Sequence, residues 1–133
     1  MNTLSQLAIA VEDIESARSF FQLLTGKEVS PPHNVESQKV NVAFIEMGDT
    51  KIELLEPAAE QTPITNFLQQ RGGGIHHMGI MTERFDELIE ELRTAGIRTL
   101  GEPSKGAEGH RVLFLHPKDT FGVLIELEER LKE

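Results

Sequence analysis

Four polar side chains occur where the sequence makes an unpaired polar group costly. Glu53 lies in the apolar run IELLE and Glu126 in LIELE, and burying an isolated carboxylate costs several kcal/mol. A shared divalent cation would compensate both carboxylates, while His77 supplies a ring nitrogen and Gln6 a carbonyl oxygen. We therefore predict one metal site that is formed by Gln6, Glu53, His77 and Glu126.

This ligand set is rich in oxygen and leaves coordination positions for water or substrate. It suits cobalt, manganese, nickel, magnesium or zinc, and the residue types do not choose among these metals. The alternative interpretation makes Glu53 and Glu126 partly exposed strand carboxylates that pair with Lys51 or Arg111, and makes His77 a core histidine. The occurrence of two related pairs favours the metal site.

Strand alternation predicts that the four side chains share one face of a sheet. Alternate residues of a strand point the same way, so Gln6 lies with Ala8 and Ala10, and His77 lies with Gly79 and Met81. The opposite faces are apolar and would pack on helices. The predicted ligands then point to the concave side, where small neighbours leave space for a pocket.

The elements that carry these residues occur twice. A short strand (LSQLAIAV or IHHMGIM) is followed by apolar residues at helical spacing, by a glycine stop at Gly26 or Gly96, and by two β-rich runs. A shift of about 70 positions superimposes Gln6 on His77 and Glu53 on Glu126. We predict an α+β domain over residues 1–133, with repeats at about 1–57 and 74–133.

The linker between the repeats has its own helix signal. Thr62 is placed as N-cap and Pro63 as the first helical residue, and Gly72 to Gly74 form a predicted flexible joint. A phosphate-binding loop is disfavoured at this triple glycine, because neither Lys-Ser nor Lys-Thr follows it and the next element is a strand.

Composition excludes several classes of function. The chain contains no cysteine, so disulfides, thiolate metal sites and cysteine nucleophiles are ruled out. Its net charge of -9 disfavours nucleic acid and anionic lipid as partners. The N-terminus lacks a basic region and its apolar stretch ends at Glu12, so we expect neither a signal peptide nor a membrane span, and a cytoplasmic location.

The remaining histidines and basic residues are weaker candidates. His76 faces a helix and is expected to be a packed core histidine, His33 lies in a Pro-Pro loop, and His116 precedes Pro117 in a turn. The segment KGAEGHR, at positions 105 to 111, could bind an anionic cofactor tail or a thioester substrate. A solvated loop is the favoured interpretation of this segment.

The motifs QKVNVAFI, IELLEP, GGGIHHMGI and KGAEGHRVLFLHPKDTFGVLIEL resemble those of the methylmalonyl-CoA epimerases, which belong to the glyoxalase and vicinal-oxygen-chelate superfamily. The resemblance covers nearly the whole chain. It implies two βαβββ modules that form a cupped mixed sheet around a metal, a homodimer, and an acyl-CoA substrate whose (R) and (S) forms are interconverted. The family's metal ligands match Glu53, His77 and Glu126.

Two positions depart from the family pattern. The first strand of typical epimerases carries histidine where this chain has Gln6, although lactoylglutathione lyases of the superfamily can use glutamine there. Some bacterial epimerases have an additional catalytic glutamate at the position of Val42. We expect Glu126, or else Glu53, to act as the base that removes the C2 proton. A lactoylglutathione-lyase-like isomerase and a non-catalytic small-molecule-binding relative are the alternative functions.

Overall fold

The computed structural model describes residues 1–106 and 109–131 of the chain. Its backbone contacts define two compact units: one is Gln6–His76, and the other combines Met1–Ser5 with the chain from His77 onward. Each unit holds one βαβββ module, as the family resemblance implied. No helix in the described part of the chain is long and apolar enough to cross a membrane.

The first module also includes the linker helix. Its sheet has the strand order β2-β3-β4-β1, in which β1 and β4 are parallel and the other pairs are antiparallel. Its elements are β1 (Thr3–Ala10), α1 (Ile14–Thr25), β2 (His33–Val35), β3 (Val40–Met47), β4 (Thr50–Pro57) and α2 (Pro63–Arg71).

The second module repeats this arrangement in the order β5-β8-β7-β6, with β5 and β8 parallel. A short 3-10 helix, Pro117–Asp119, lies in the connection before the last strand. The elements are β5 (Gly74–Thr82), α3 (Phe85–Thr94), β6 (Thr99–Lys105), β7 (Arg111–Leu115) and β8 (Ile125–Glu129).

The predicted helix ends are confirmed by capping geometry. Thr62 accepts a hydrogen bond from the backbone N–H of Thr65 at 3.0 Å, and Pro63 opens α2. Gly26 ends α1 with a left-handed φ of 68°. The flexible joint at Gly72 to Gly74 stays a prediction, and a Cβ on Gly73 would lie 3.3 Å from the Ala10 carbonyl oxygen.

In the first module, both faces of the sheet are covered. The face of Ile9, Ile52 and Leu54 packs on α1, as the alternation predicted. The opposite face also carries an apolar cluster, in which Val42 and other strand residues pack against the linker helix α2. The linker helix therefore covers part of the face on which Gln6 and Glu53 lie.

In the second module, one face of the sheet packs on α3. Leu113, Leu115 and Leu127 join Phe85 and Ile89 in a single buried cluster. Strand alternation then turns Phe114, Glu126 and Glu128 to the other face. The helices α1 and α3 thus lie on the faces opposite the predicted ligands, whereas α2 covers part of the ligand face of the first module.

A bidentate ion pair joins Arg98, which directly precedes β6, to Asp119 in the 3-10 helix. The Arg98 side chain donates to both carboxylate oxygens of Asp119, at 2.8 and 3.0 Å, and the Arg98 backbone N–H donates at 2.9 Å. These hydrogen bonds hold the pKa of Asp119 well below its ordinary value of 3.8. The pair therefore contributes stability above pH 3.8, and this contribution is lost as the pH falls through the lowered pKa.

Asp119→Asn is expected to lower the unfolding free energy at pH 7, and the difference from the parent chain should shrink as the medium is acidified. The reason is that the parent Asp119 loses the same charge when it is protonated. Urea unfolding at pH 7 and at about pH 2 measures this. Asp49→Asn, in the β3–β4 turn, is the control, and an equal loss at both pH values would contradict the prediction.

Candidate metal and proton-transfer site

The two predicted glutamates occupy equivalent places in their modules. Glu53 on β4 pairs with Ala8 on β1 and with Phe44 on β3. Glu126 on β8 has the corresponding neighbours, Gly79 and Phe114. The identical register confirms the sequence repeat, and in both modules the glutamate has a small residue on one side and a phenylalanine on the other.

His77 and Glu126 meet within the second module. The His77 Nε2 atom lies 3.9 Å from Glu126 Oε1, and the two side chains are only 8% and 14% exposed. The His77 ring packs edge-on against Phe114, with ring centroids 5.3 Å apart. The aromatic contact restricts the imidazole, so its nitrogen points along the side of the sheet that carries Glu126.

Gln6 and Glu53 lie on adjacent strands of the first module. Gln6 is buried, at 7% exposure, and pairs with Lys51, while Glu53 pairs with Ala8 two residues further along β1. Gln6 and Glu53 therefore share one face. Lys51 lies on this face as well, with its ammonium group 4.8 Å from the centre of the Phe44 ring.

The side chains of Gln6, Glu53, His77 and Glu126 are of types that a divalent cation accepts as ligands. An imidazole, two carboxylates and an amide are ligands that first-row metals and magnesium accept, and the carboxylates would balance the charge of the ion. Within residues 1–106 and 109–131, no group of three or more histidine and acidic side chains lies close enough together to hold a metal ion by itself. The metal site stays a prediction that each module supports with one half of the ligand set.

Arg111, which the alternative interpretation considered as a partner of the predicted ligand glutamates, pairs with two other carboxylates. Its guanidinium group lies 2.8 Å from Asp86 and 2.6 Å from Glu129, and it stacks over the Phe85 ring at 4.9 Å. Arg111 thus belongs to the α3 face of the sheet. Its hydrogen bonds to Glu129 and Asp86 raise its pKa and keep it charged.

The other histidines have structural surroundings. The His76 ring meets the Phe67 ring edge-on at 5.1 Å, and burial lowers the pKa of His76. His116 Nδ1 accepts a hydrogen bond from the Lys118 backbone N–H at 3.2 Å and so caps the 3-10 helix. His33 lies 5.9 Å from the Phe44 ring on the short strand β2. The structural role expected for His116 is confirmed, whereas His76 is half-buried beside Phe67.

A second polar group on the ligand face was missed by the sequence interpretation. Glu128 is buried, accepts a hydrogen bond from the Ser5 hydroxyl, and lies 3.9 Å from His110 Nε2. The segment KGAEGHR was expected to be a solvated loop, and this is wrong for His110, whose side chain is 13% exposed. Ala107 and Glu108 lie outside the described residues. The sequence signal that could have found Glu128 is strand alternation, because Glu128 lies two residues after Glu126 and therefore on the same face.

Comparison with known proteins identifies the family. The model of the glyoxalase/bleomycin resistance protein/dioxygenase superfamily matches residues 5–114. The mitochondrial methylmalonyl-CoA epimerase of Mus musculus is 41% identical over 131 residues, which are 97% of this chain and 74% of the relative. The chain belongs to the methylmalonyl-CoA epimerase family of the glyoxalase superfamily.

Other epimerases agree in sequence and in fold. The ethylmalonyl-CoA/methylmalonyl-CoA epimerase of Cereibacter sphaeroides is 45% identical over 129 residues, covering 95% of this chain and 96% of the relative. A methylmalonyl-CoA epimerase solved with methylmalonyl-CoA and NH4+ has a TM-score of 0.87 at 32% identity, with 97% and 94% of the two chains covered. The predicted fold class is therefore confirmed at the level of the family.

Val42 occupies the position at which some epimerases of the family have a glutamate, and its surroundings in this chain are apolar. It is 4% exposed and packs with Val40, Leu55 and the linker-helix residues Ile64 and Leu68. A carboxylate at this position would lose its hydration without gaining a partner. The chain must therefore obtain its acid/base chemistry elsewhere.

Val42→Glu is expected to destabilise the protein by about 3 kcal/mol at neutral pH. Burial raises the pKa of a glutamate above its unfolded value, so the penalty should decrease below about pH 4, where the carboxyl group is neutral in both states. Chemical unfolding at the two pH values measures it. Val42→Gln is the uncharged control, and a penalty that does not change with pH in Val42→Glu would contradict the argument.

Proposed function

We propose that this chain is a methylmalonyl-CoA epimerase, which interconverts the (R) and (S) forms of methylmalonyl-CoA by moving the C2 proton. The observation that carries the proposal is the identity to epimerases of the family, 40% for that of Bos taurus and 45% for that of Cereibacter sphaeroides, over nearly the whole chain. It is supported by two repeat-related polar pairs, Gln6 with Glu53 and His77 with Glu126, in which Gln6 and His77 are buried. The cytoplasmic location and the homodimer stay predictions.

We further propose that Gln6, Glu53, His77 and Glu126 hold one divalent metal ion. Removing a proton from C2 of a thioester leaves negative charge on the carbonyl oxygen. When bound, a divalent ion would supply Lewis-acid stabilisation of that charge. The side chains of the site then have to position the acyl group, exclude water and exchange protons.

Glu126 is our first assignment for the base. Its carboxylate is mostly buried beside Phe114 and Gly79, so the lack of a side chain on Gly79 leaves room for the acyl group next to the carboxylate. His77, 3.9 Å away, limits the directions in which the carboxylate can point. Glu53 is the repeat-related candidate for proton exchange on the second face of C2.

The direct test of the function is incubation with methylmalonyl-CoA in heavy water in the presence of Co²⁺. We expect deuterium at C2, together with interconversion of the two epimers. The absence of both would refute the epimerase proposal. Activity on the hemithioacetal of methylglyoxal and glutathione, without activity on the CoA ester, would instead select the lactoylglutathione-lyase-like function that Gln6 suggests.

Gln6→His should increase the affinity for Co²⁺ by about 10-fold or more. The reason is that an imidazole nitrogen is a better ligand for first-row metals than an amide oxygen. Isothermal titration calorimetry measures this, with Gln38→His in the β2–β3 connection as the control. If the affinity of Gln6→His equals that of the parent chain, Gln6 is not in the ligand set.

A further inference from the structure

The second module contains a buried acid/base pair that the metal proposal does not use. The Glu128 residue is 8% exposed, and its carboxylate accepts a hydrogen bond from the Ser5 hydroxyl and faces the imidazole of His110. The separation between His110 Nε2 and Glu128 Oε2 is 3.9 Å. The His110 side chain is still 13% exposed, so a bound molecule can reach the ring.

The backbone before β7 holds His110 in place. The Gly106 N–H donates to the His110 carbonyl oxygen at 2.7 Å, and the Gly109 N–H donates to the Gly106 carbonyl oxygen at 3.1 Å. A Cβ on Gly106 would lie 3.0 Å from Val112 Cγ1 and 3.3 Å from the His110 carbonyl oxygen, so a larger residue here would require its neighbours to shift. The backbone of His110 is therefore held against Gly106 directly before β7.

The pair lies on the same face of the sheet as Glu126. Residues 126 and 128 are alternate positions of β8, and Leu127 between them packs in the α3 core. Alternate residues of a strand are about 7 Å apart. Since His110 faces Glu128, its imidazole reaches this face from the chain before β7, whereas Glu126 reaches it from β8.

We propose that His110, oriented by Glu128, is the acid/base residue that exchanges the proton on the face of C2 opposite to Glu126. The inference rests on the proposed epimerase function. In one direction Glu126 takes the C2 proton, the C–H electron pair becomes part of the enolate, and the imidazolium N–H of His110 delivers a proton to the other face. In the reverse direction neutral His110 takes the proton and protonated Glu126 returns one.

This assignment relieves a conflict in the two-glutamate mechanism. Glu53 and Glu126 both belong to the proposed ligand set, and a carboxylate that ligates a cation must loosen that contact to act as a base. Using both would remove both negative charges from the ion during turnover. His110 lies outside the ligand set and exchanges protons without that loss. Glu128 serves as a positioning residue that keeps the imidazole directed.

The test follows deuterium uptake separately from the (R) and the (S) epimer in heavy water, in the presence of Co²⁺. His110→Gln should slow uptake from one epimer by about 100-fold or more. Uptake from the other epimer should continue within about threefold, because Glu126 still exchanges its proton and returns it to the same face. Epimerisation should fall with the slower exchange. Glu128→Gln should slow deuterium uptake from the same epimer by a smaller factor.

The control is His116→Gln, which removes a histidine at the other end of β7 whose side chain caps the 3-10 helix. It should leave both exchange rates equal to those of the parent chain. Parent-like uptake from both epimers in His110→Gln, or an equal loss from both, would overturn the proposal. One-sided loss in Glu53→Gln but not in His110→Gln would assign the role to Glu53. If the parent chain exchanges no proton, the epimerase proposal itself fails.

Discussion

Glu126→Ala is expected to abolish deuterium uptake at C2 of methylmalonyl-CoA, with a loss of about 1000-fold or more from both epimers. The substitution removes the assigned base, which is worth about 100- to 10000-fold in general acid/base catalysis. It also removes one of two carboxylates from the proposed metal site. The two-sided loss distinguishes Glu126 from His110, for which we expect a one-sided effect. Nuclear magnetic resonance of the C2 proton measures both rates.

The matched control is Glu46→Ala, which truncates an exposed glutamate on β3 opposite Lys51. It should leave uptake within about twofold of the parent rate, because surface substitutions of this kind change little. Glu126 is partly buried, so its variant is compared at a temperature where thermal unfolding shows both proteins folded. Uptake by Glu126→Ala at the rate of Glu46→Ala would remove Glu126 from the mechanism.

His77→Ala is expected to weaken Co²⁺ binding by about 100-fold or more, and to stop exchange at limiting metal. His77 supplies the only nitrogen of the proposed ligand set, and even residues that merely orient a ligand change metal affinity by about 10- to 100-fold. Truncation also removes the ring contact with Phe114 and leaves Glu126 without its neighbour at 3.9 Å. Titration calorimetry measures the affinity directly.

The control for this prediction is His33→Ala, which removes an exposed histidine on β2 whose ring lies 5.9 Å from Phe44. Its affinity for Co²⁺ should equal that of the parent chain. If His77→Ala and His33→Ala bind the ion equally well, the metal proposal for His77 is wrong. Metal affinity is a readout independent of turnover, so the result stands even if both variants are inactive.

Helix ends and face alternation could be predicted because their causes are local. An N-cap threonine, a following proline and a left-handed glycine act within one turn of helix, which is why Thr62, Pro63 and Gly26 marked their positions correctly. The strands β2 and β6 gave no periodic pattern. β2 has three residues, two of which are polar, and β6 contains Gly101 and Pro103 and a register shift between Leu100 and Ser104.

Strand alternation also predicted where two of the four candidate ligands lie. Strand parity placed Glu53 and Glu126 on the face away from the helices, and the repeat made them equivalent, which the Phe44 and Phe114 registers confirm. Parity alone did not show which apolar side chains cover the rest of that face. The linker helix α2 does so in the first module, and Val42 is buried beneath it.

By itself, the sequence determined the two modules, the family and the residue types available for chemistry, since periodicity, caps and motifs depend on neighbours along the chain. Only the tertiary structure decided that Arg111 binds Asp86 and Glu129 and that His110 turns inward to Glu128. The reason is distance along the chain: Ser5 and Glu128 are separated by 123 positions. Their contact depends on strand register and packing, which no local pattern encodes.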